Sequence, residues 1–183
     1  MKIAVYFAEG YEEIEALSVV DVLRRAAIEV VMVGIGGIRI TSARGITICM
    51  DTTIDDLNHE EIDMIVLPGG MPGVSNLENN SLVVQNIKAF KKQGKWLAAI
   101  CAAPSILGKA GLLIGEKATC YPGYEKYLEQ CEYSDEKTVI SHKIITSKSA
   151  GTALEFAFVV LEVISGKLTA DNIKKAMVAE DLY

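Results

Sequence analysis

The chain has 183 residues, of which 50% are hydrophobic and 23% charged, and its formal net charge is −6. This size and apolar content predict one globular domain, residues 1–183, with a substantial core. The acidic balance and the lack of any long basic run argue against a nucleic-acid partner. No apolar run approaches the roughly 20 residues that cross a bilayer, so we expect no membrane partner.

Four short apolar runs rich in β-branched residues predict strands that are covered on both faces. In chain order they are residues 3–7, 30–33, 62–67 and 96–100. Helical spacing of apolar residues alternates with them, at residues 12–27, 81–93, 102–110 and 152–164. This alternation predicts a mostly parallel sheet with helices on both faces, the α/β three-layer sandwich of flavodoxin-like proteins.

Two further pairs of short strands are predicted as hairpins. Residues 38–40 and 46–49 flank a turn-forming segment, which predicts a small β-hairpin inserted after the second strand. Residues 139–140 and 144–146 are separated by three polar residues and predict a second antiparallel pair.

The cysteines and the amino terminus indicate an intracellular protein. The first apolar run is too short for the core of a signal peptide and ends at Glu9. No C-x-x-C pair is present, which is typical of free thiols in a reducing compartment. The cysteines are Cys49, Cys101, Cys120 and Cys131. We therefore expect a cytoplasmic protein, and neither the cysteines nor the two histidines have the spacing of a metal site or point to a cofactor.

Cys101 is the strongest candidate for chemistry. It stands between a predicted strand and a predicted helix, among small residues, as a nucleophile does at a sharp strand-to-helix turn. The carboxyl ends of parallel strands are also where such sheets bind ligands. A thiol at a helix N-terminus is expected to favour its thiolate. The alternative is a buried cysteine that packs as a small apolar residue.

Glu15 is the candidate partner of that thiol. Helical spacing aligns it with Val19, Val22 and Ala26 on an apolar stripe, where burial would raise the pKa of a carboxyl group. A protonated carboxyl could donate to a thiolate or carry a proton. The neighbouring Glu9, Glu12 and Glu13 are instead expected to complement the positive end of the helix.

The turn after the third strand, Pro68-Gly69-Gly70, could supply a backbone N–H to a reacting carbonyl oxygen. With the N–H of Ala102 it would form an oxyanion hole. A Gly-Gly turn alone is weak support for that role.

Together, these segments resemble the ThiJ/PfpI superfamily, and within it the DJ-one branch of the parkinsonism-associated deglycase. The likeness spans nearly the whole chain, and its motifs are residues 9–15, 21–26, 67–70, 99–104, 146–147, 151–152 and 155–157. It implies that Cys101 is the nucleophile or redox centre, Glu15 its protonated partner, and Gly70 with Ala102 the backbone donors. It also implies a homodimer, with Arg44, Arg25 and Asp21 near the site or the dimer interface.

Two departures from the family pattern affect the chemistry. The branch often has a histidine before a proline near the cysteine, whereas this chain has Tyr121, which could shape the pocket but cannot replace imidazole at neutral pH. The peptidase-like branch has a histidine directly after the cysteine, and Ala102 stands there, which argues against an intracellular PfpI-type peptidase.

Two functions follow from the resemblance. The first is a glutathione-independent glyoxalase or deglycase, in which Cys101 adds to methylglyoxal, glyoxal or their early adducts and Glu15 carries the proton. The second is a redox-sensing stress protein or chaperone in which Cys101 is oxidised to a sulfinate.

Overall fold

The computed structural model describes residues 1–180 and contains strands of two to seven residues. In chain order they are β1 (Lys2–Ala8), β2 (Glu29–Ile35), β3 (Arg39–Thr41), β4 (Thr47–Cys49), β5 (Thr52–Thr53), β6 (Met64–Leu67), β7 (Trp96–Ile100), β8 (Lys117–Ala118), β9 (Glu132–Tyr133), β10 (Thr138–Ser141) and β11 (Ile144–Ser147).

Seven of these strands form the central sheet, in the order β10-β11-β7-β6-β1-β2-β5. Every neighbouring pair in it is parallel except β10 and β11. The strands β3 and β4 form a separate antiparallel hairpin, and β8 pairs with β9. Both predicted hairpins are confirmed.

The α-helices of the described residues cover both faces of this sheet. They are α1 (Glu13–Arg25), α2 (Gly73–Asn79), α3 (Ser81–Lys92), α4 (Pro104–Lys109), α5 (Ala153–Ser165) and α6 (Lys167–Ala176). None of the helices within residues 1–180 combines the length and the apolar character that crossing a membrane requires.

The sheet divides the core in two because successive side chains of a strand point to opposite faces. Along β1, Ile3 and Val5 pack with α1, α5 and α6, whereas Ala4 and Tyr6 pack with α2, α3 and α4. All four are fully buried. The predicted α/β sandwich with helices on both faces is therefore confirmed.

Three details differ from the sequence prediction. The helix after β7 begins at Pro104 rather than at residue 102, because residues 101–103 form a turn. Neither α2 nor α6 was predicted. The polar α6 buries only Ala170 as a fully enclosed residue, and α2 is short and follows a Gly-rich turn, so neither segment has a wide apolar stripe.

The strand order places a topological switch beside β1. From β1 the chain moves to β2 on one side, and from β6 it moves to β7 on the other side. A crevice opens beyond the carboxyl ends of the strands at such a point, and ligands bind there in doubly wound sheets. The turns that follow β1, β6 and β7 meet at this edge.

Candidate active site

Cys101 follows β7 directly and has an unusual backbone conformation. Its φ of +65° lies in the left-handed region, which costs a residue with a Cβ roughly 1 kcal/mol or more. Two hydrogen bonds hold it there: its N–H donates to Ser147 O (2.9 Å), and its carbonyl accepts from Tyr121 N (2.7 Å). Such strain, fixed by its surroundings, is typical of a functional position, and it aims the half-buried side chain out of the sheet edge.

Glu15 lies in the first turn of α1 and is only 1% exposed. It follows Glu12, the N-cap residue, whose carboxylate accepts from Glu15 N (2.8 Å). The Glu15 side chain accepts from Gly69 N (2.8 Å) through Oε2, and it hydrogen-bonds the Cys101 thiol. The predicted burial of this carboxyl group on an apolar stripe is confirmed.

The two side chains form one coupled acid–base pair. Burial raises the pKa of Glu15 to about 7, while its hydrogen bond with Cys101 opposes the rise. Burial also raises the pKa of the Cys101 thiol, and the negative charge of Glu15 raises it further. A second negative charge at this site is therefore strongly disfavoured, and near neutral pH the pair keeps at least one proton between the carboxyl and the thiol.

The Cys101 thiol lies farther from a helix N-terminus than the sequence predicts. The helix α4 begins three residues after Cys101 and has only six residues, so its dipole is distant and small. Single backbone N–H groups act instead: those of Ala102 and Gly70 lower the pKa of the Cys101 thiol against its burial. The structure thus brings the N–H groups of Ala102 and Gly70 to the cysteine sulfur, while their predicted role as an oxyanion hole stays a prediction.

The two glycines after β6 are needed for different reasons. A Cβ on Gly69 would lie 2.5 Å from Glu15 Oε2 and 2.6 Å from Cys101 Cβ, which is too close for either atom. Gly70 has a φ of +93°, and a Cβ there would overlap the backbone of the turn after β1. Gly69 therefore sets the separation of the pair, a role that the sequence analysis did not assign to it.

A pocket of about 410 Å³ opens over the pair. Its lining residues are Glu12, Glu15, Ala43, Arg44, Gly70, Met71, Cys101, Ala102, Tyr121, Tyr124, Ser149 and Ala150. Of the residues predicted for a pocket or interface, Arg44 and Tyr121 lie here. Asp21 and Arg25 lie outside the pocket and form an exposed ion pair on α1 (Arg25 Nε to Asp21 Oδ2, 2.7 Å). Their place at a dimer interface stays a prediction.

Glu13 has a different position from the one expected. It is 8% exposed, and its Oε1 accepts from Ser42 Oγ and from Arg44 N (3.1 Å). The expectation that it only complements the helix N-terminus is wrong, because its carboxylate fastens the β3–β4 turn to α1. This contact joins residues far apart in the chain and has no local signal in the sequence.

The remaining cysteines and histidines lie outside this pocket. Burial raises the pKa of the Cys120 thiol to about 12, whereas Cys49 is exposed on the hairpin. His142 is exposed, whereas His59 is half-buried and hydrogen-bonds Tyr6 Oη (3.1 Å). Within residues 1–180, no group of three metal-ligating side chains is arranged to hold an ion.

Comparison with known proteins gives a consistent family likeness. The model of the DJ-1/PfpI family matches residues 1–163. Protein dj-1beta of Drosophila melanogaster is 37% identical over 176 residues, which are 94% of each chain. Glutathione-independent glyoxalase DJR-1.2 of Caenorhabditis elegans is 34% identical over 171 residues, 92% of this chain and 91% of that protein. The solved structure of oxidized Toxoplasma gondii DJ-1 superposes with a TM-score of 0.94 at 36% identity and covers 98% of both chains.

Proposed function

The chain belongs to the DJ-1/PfpI family, and from this premise we propose that it is a cysteine-dependent, glutathione-independent glyoxalase. Its substrates are methylglyoxal, glyoxal or their early adducts with amines and thiols. The observation that carries the proposal is the buried Glu15 hydrogen-bonded to the half-buried Cys101 in the lining of an open pocket. The printed name of the Caenorhabditis elegans relative supports the same activity.

The first step is addition of the cysteine sulfur to the aldehyde carbon. Glu15, as a carboxylate, takes the thiol proton while Cys101 Sγ forms the new C–S bond. The π electrons of the carbonyl move to its oxygen, and the N–H groups of Gly70 and Ala102 stabilise that negative charge. A pKa of about 7 suits Glu15 to this role, because near neutral pH it can both accept and return a proton.

The second step moves a proton between the two carbons of the substrate. Glu15 gives its proton to the oxyanion, which completes the hemithioacetal, and its carboxylate then takes the proton from the former aldehyde carbon. The released electron pair moves onto the neighbouring carbonyl oxygen and gives an enediolate. Glu15 then returns its proton to the neighbouring carbon, and the hydroxyl proton of the hemithioacetal passes to the enediolate oxygen, which leaves a thioester on Cys101.

Hydrolysis completes the cycle. Water adds to the thioester carbonyl, the C–S bond breaks, and the thiol recovers its proton. Methylglyoxal plus water gives lactate, and glyoxal plus water gives glycolate. No oxidant or reductant is consumed, because one carbon of the substrate is oxidised while its neighbour is reduced.

A redox function is the second candidate, and the same N–H groups favour it. Two equivalents of peroxide would convert the Cys101 thiol to a sulfinate and release two molecules of water. The backbone donors of Gly70 and Ala102, together with a protonated Glu15, could hydrogen-bond the sulfinate oxygens. In this case the modified protein, rather than a small-molecule product, carries the function.

We also propose a cytoplasmic homodimer, on the strength of the family likeness. Asp21 and Arg25 lie on an exposed part of α1 and are candidates for its interface. Light scattering behind size exclusion should give a mass near twice 19.8 kDa, and a mass of a single chain would reject this part of the proposal.

The deciding experiment is lactate formation from methylglyoxal by the purified protein without glutathione. The wild type should produce lactate, Glu15→Gln should lose about 10²- to 10⁴-fold in rate, and Cys101→Ala should lose at least as much. Cys49→Ser is a matched control, because it removes an exposed thiol outside the pocket and should keep the wild-type rate. A wild type that forms no lactate but consumes peroxide at Cys101 would favour the redox function.

A further inference from the structure

The pocket is much larger than methylglyoxal. Its volume of about 410 Å³ falls in the range of about 300–1,000 Å³ that holds drug-sized ligands. Methylglyoxal carries only a methyl group beyond its two carbonyls and would leave most of this space to water. The space beyond the reacting carbonyl therefore calls for a larger substituent.

Part of the wall of that space is aromatic and apolar, although Glu12, Arg44 and Ser149 also line it. Tyr121 and Tyr124 line it together with Met71, and Tyr121 and Met71 are 45% and 51% exposed. Scattered apolar residues on a surface have no special meaning, but these three line the same cavity as the strained Cys101. Their exposure is that of a contact surface for an apolar group.

The aromatic wall is fixed relative to the reacting sulfur. Tyr121 N donates to the carbonyl of Cys101 itself (2.7 Å), and Tyr124 N donates to Tyr121 O (3.0 Å). The two rings meet edge to face, with centroids 6.3 Å apart and an interplanar angle of 80°. A wall whose backbone is bonded to the nucleophilic residue can select a substituent by its shape.

We propose that this site selects α-oxoaldehydes with an aromatic substituent, such as phenylglyoxal, over methylglyoxal, and that Tyr121 determines this specificity. The inference rests on the proposed glyoxalase function and names its substrate class. The carbonyl end of the substrate reaches Cys101 while its ring packs against Tyr121 and Tyr124, as aromatic pairs do. The steps are those given above, so phenylglyoxal plus water gives mandelate.

The test compares kcat/KM for phenylglyoxal and methylglyoxal in each variant, because a ratio cancels any general loss of activity. Tyr121→Ala should lower the phenylglyoxal-to-methylglyoxal ratio about fivefold, the size of one aromatic contact. Tyr121→Leu, which keeps an apolar side chain without a ring, should also lower it and serves if the alanine variant does not fold. Tyr121→Phe keeps the ring and should keep the ratio.

Tyr133→Ala is the matched control, because Tyr133 is similarly exposed (40%) but lies outside the pocket. Its ratio should equal that of the wild type. A ratio that stays unchanged in both Tyr121→Ala and Tyr121→Leu would overturn the proposal, even if methylglyoxal is turned over well.

A second measurement separates this inference from the proposed activity. Phenacyl bromide and bromoacetone are alkylating ketones with the same two substituents, and their rates at Cys101 can be followed by peptide mass spectrometry. The alkylation rate of Cys101 by each reagent is divided by the rate at which that reagent alkylates a free thiol. By this relative rate, the wild type should prefer phenacyl bromide over bromoacetone about fivefold, and Tyr121→Ala should lose the preference. Equal relative rates in the wild type would refute the aromatic selection, whether or not the protein forms lactate.

Discussion

Replacement of Gly69 by alanine should separate the Glu15–Cys101 pair. The added Cβ would lie 2.5 Å from Glu15 Oε2, 2.6 Å from Cys101 Cβ and 3.1 Å from Cys101 Sγ. Ordinary contacts need about 3.5 Å or more, so either the carboxyl group or the turn that carries Gly69 must move by roughly 1 Å. Movement of the turn would also weaken the 2.8 Å hydrogen bond from Gly69 N to Glu15.

Two magnitudes follow from this overlap. A displacement of about 1 Å in a catalytic group can cost about 10²-fold in rate, so kcat/KM for lactate formation should fall by about that factor. Insertion of a methyl group into a packed site costs about 1–3 kcal/mol, which for a chain of this length lowers Tm by about 2–12 °C. The variant should therefore remain folded at 25 °C while it loses most of its activity.

The assay is lactate formation from methylglyoxal, with thermal unfolding measured on the same preparations. Gly37→Ala is the matched glycine control, because a Cβ there meets no atom within 4 Å, and both measurements should match the wild type. If Gly69→Ala keeps kcat/KM within threefold of the wild type, the close approach of Glu15 and Cys101 is not what the activity requires.

Two carboxyl groups, Glu15 and Glu116, should make activity and stability depend on pH. As the pH rises through 7, ionisation of Glu15 should raise activity and lower stability, whereas Glu116 should lower stability only as the pH falls toward 2. Because Glu15 has a pKa of about 7, kcat/KM should fall about tenfold per unit below about pH 6 and level off above about pH 8, and Glu15→Gln should lack this ionisation. The folded state binds this proton more tightly than the unfolded chain, so the proton's contribution to stability is lost as the pH rises through 7. At pH 8, Glu15→Gln should therefore raise the free energy of unfolding by about 2 kcal/mol. A variant less stable than the wild type at this pH would contradict the raised pKa. Burial raises the pKa of Glu116, but bonds from Lys91, Ser141 and His142 outweigh it and hold the pKa at about 2, so stability from this group is present above about pH 4.5 and lost as the pH falls toward 2. Denaturant unfolding at pH 7 should show Glu116→Gln to be about 2 kcal/mol less stable than the wild type, with a difference that shrinks toward pH 2; a constant difference would refute the linkage.

Local patterns in the sequence were sufficient to predict the fold and the centre of the site. Buried strands and apolar helical stripes have short periods, so β1, β7 and α1 could be recognised from neighbouring residues. The same spacing placed Glu15 on the buried face of α1. The position of Cys101 at the end of a parallel strand then brought the two together, because the carboxyl ends of adjacent strands share one edge of the sheet.

The parts that could not be predicted depend on contacts between distant segments. Gly69 is 54 residues from Glu15, and Glu13 is 31 residues from Arg44. Nothing near Gly69 in the chain indicates that its missing Cβ is replaced by a carboxyl group and a thiol. The raised pKa of the Cys101 thiol could not be predicted for a related reason, because the depth of burial and the turn before α4 appear only when the layers pack.

The central claim is that Cys101 and Glu15 act as one catalytic unit, and a double-mutant cycle on lactate formation tests it most directly. Groups that act as a unit give losses that do not add. Each of Cys101→Ala and Glu15→Gln should lower kcat/KM by at least about 10²-fold, and the double variant should be no slower than the slower single variant. Losses that multiply in the double variant, or a Glu15→Gln enzyme with wild-type activity, would contradict the account.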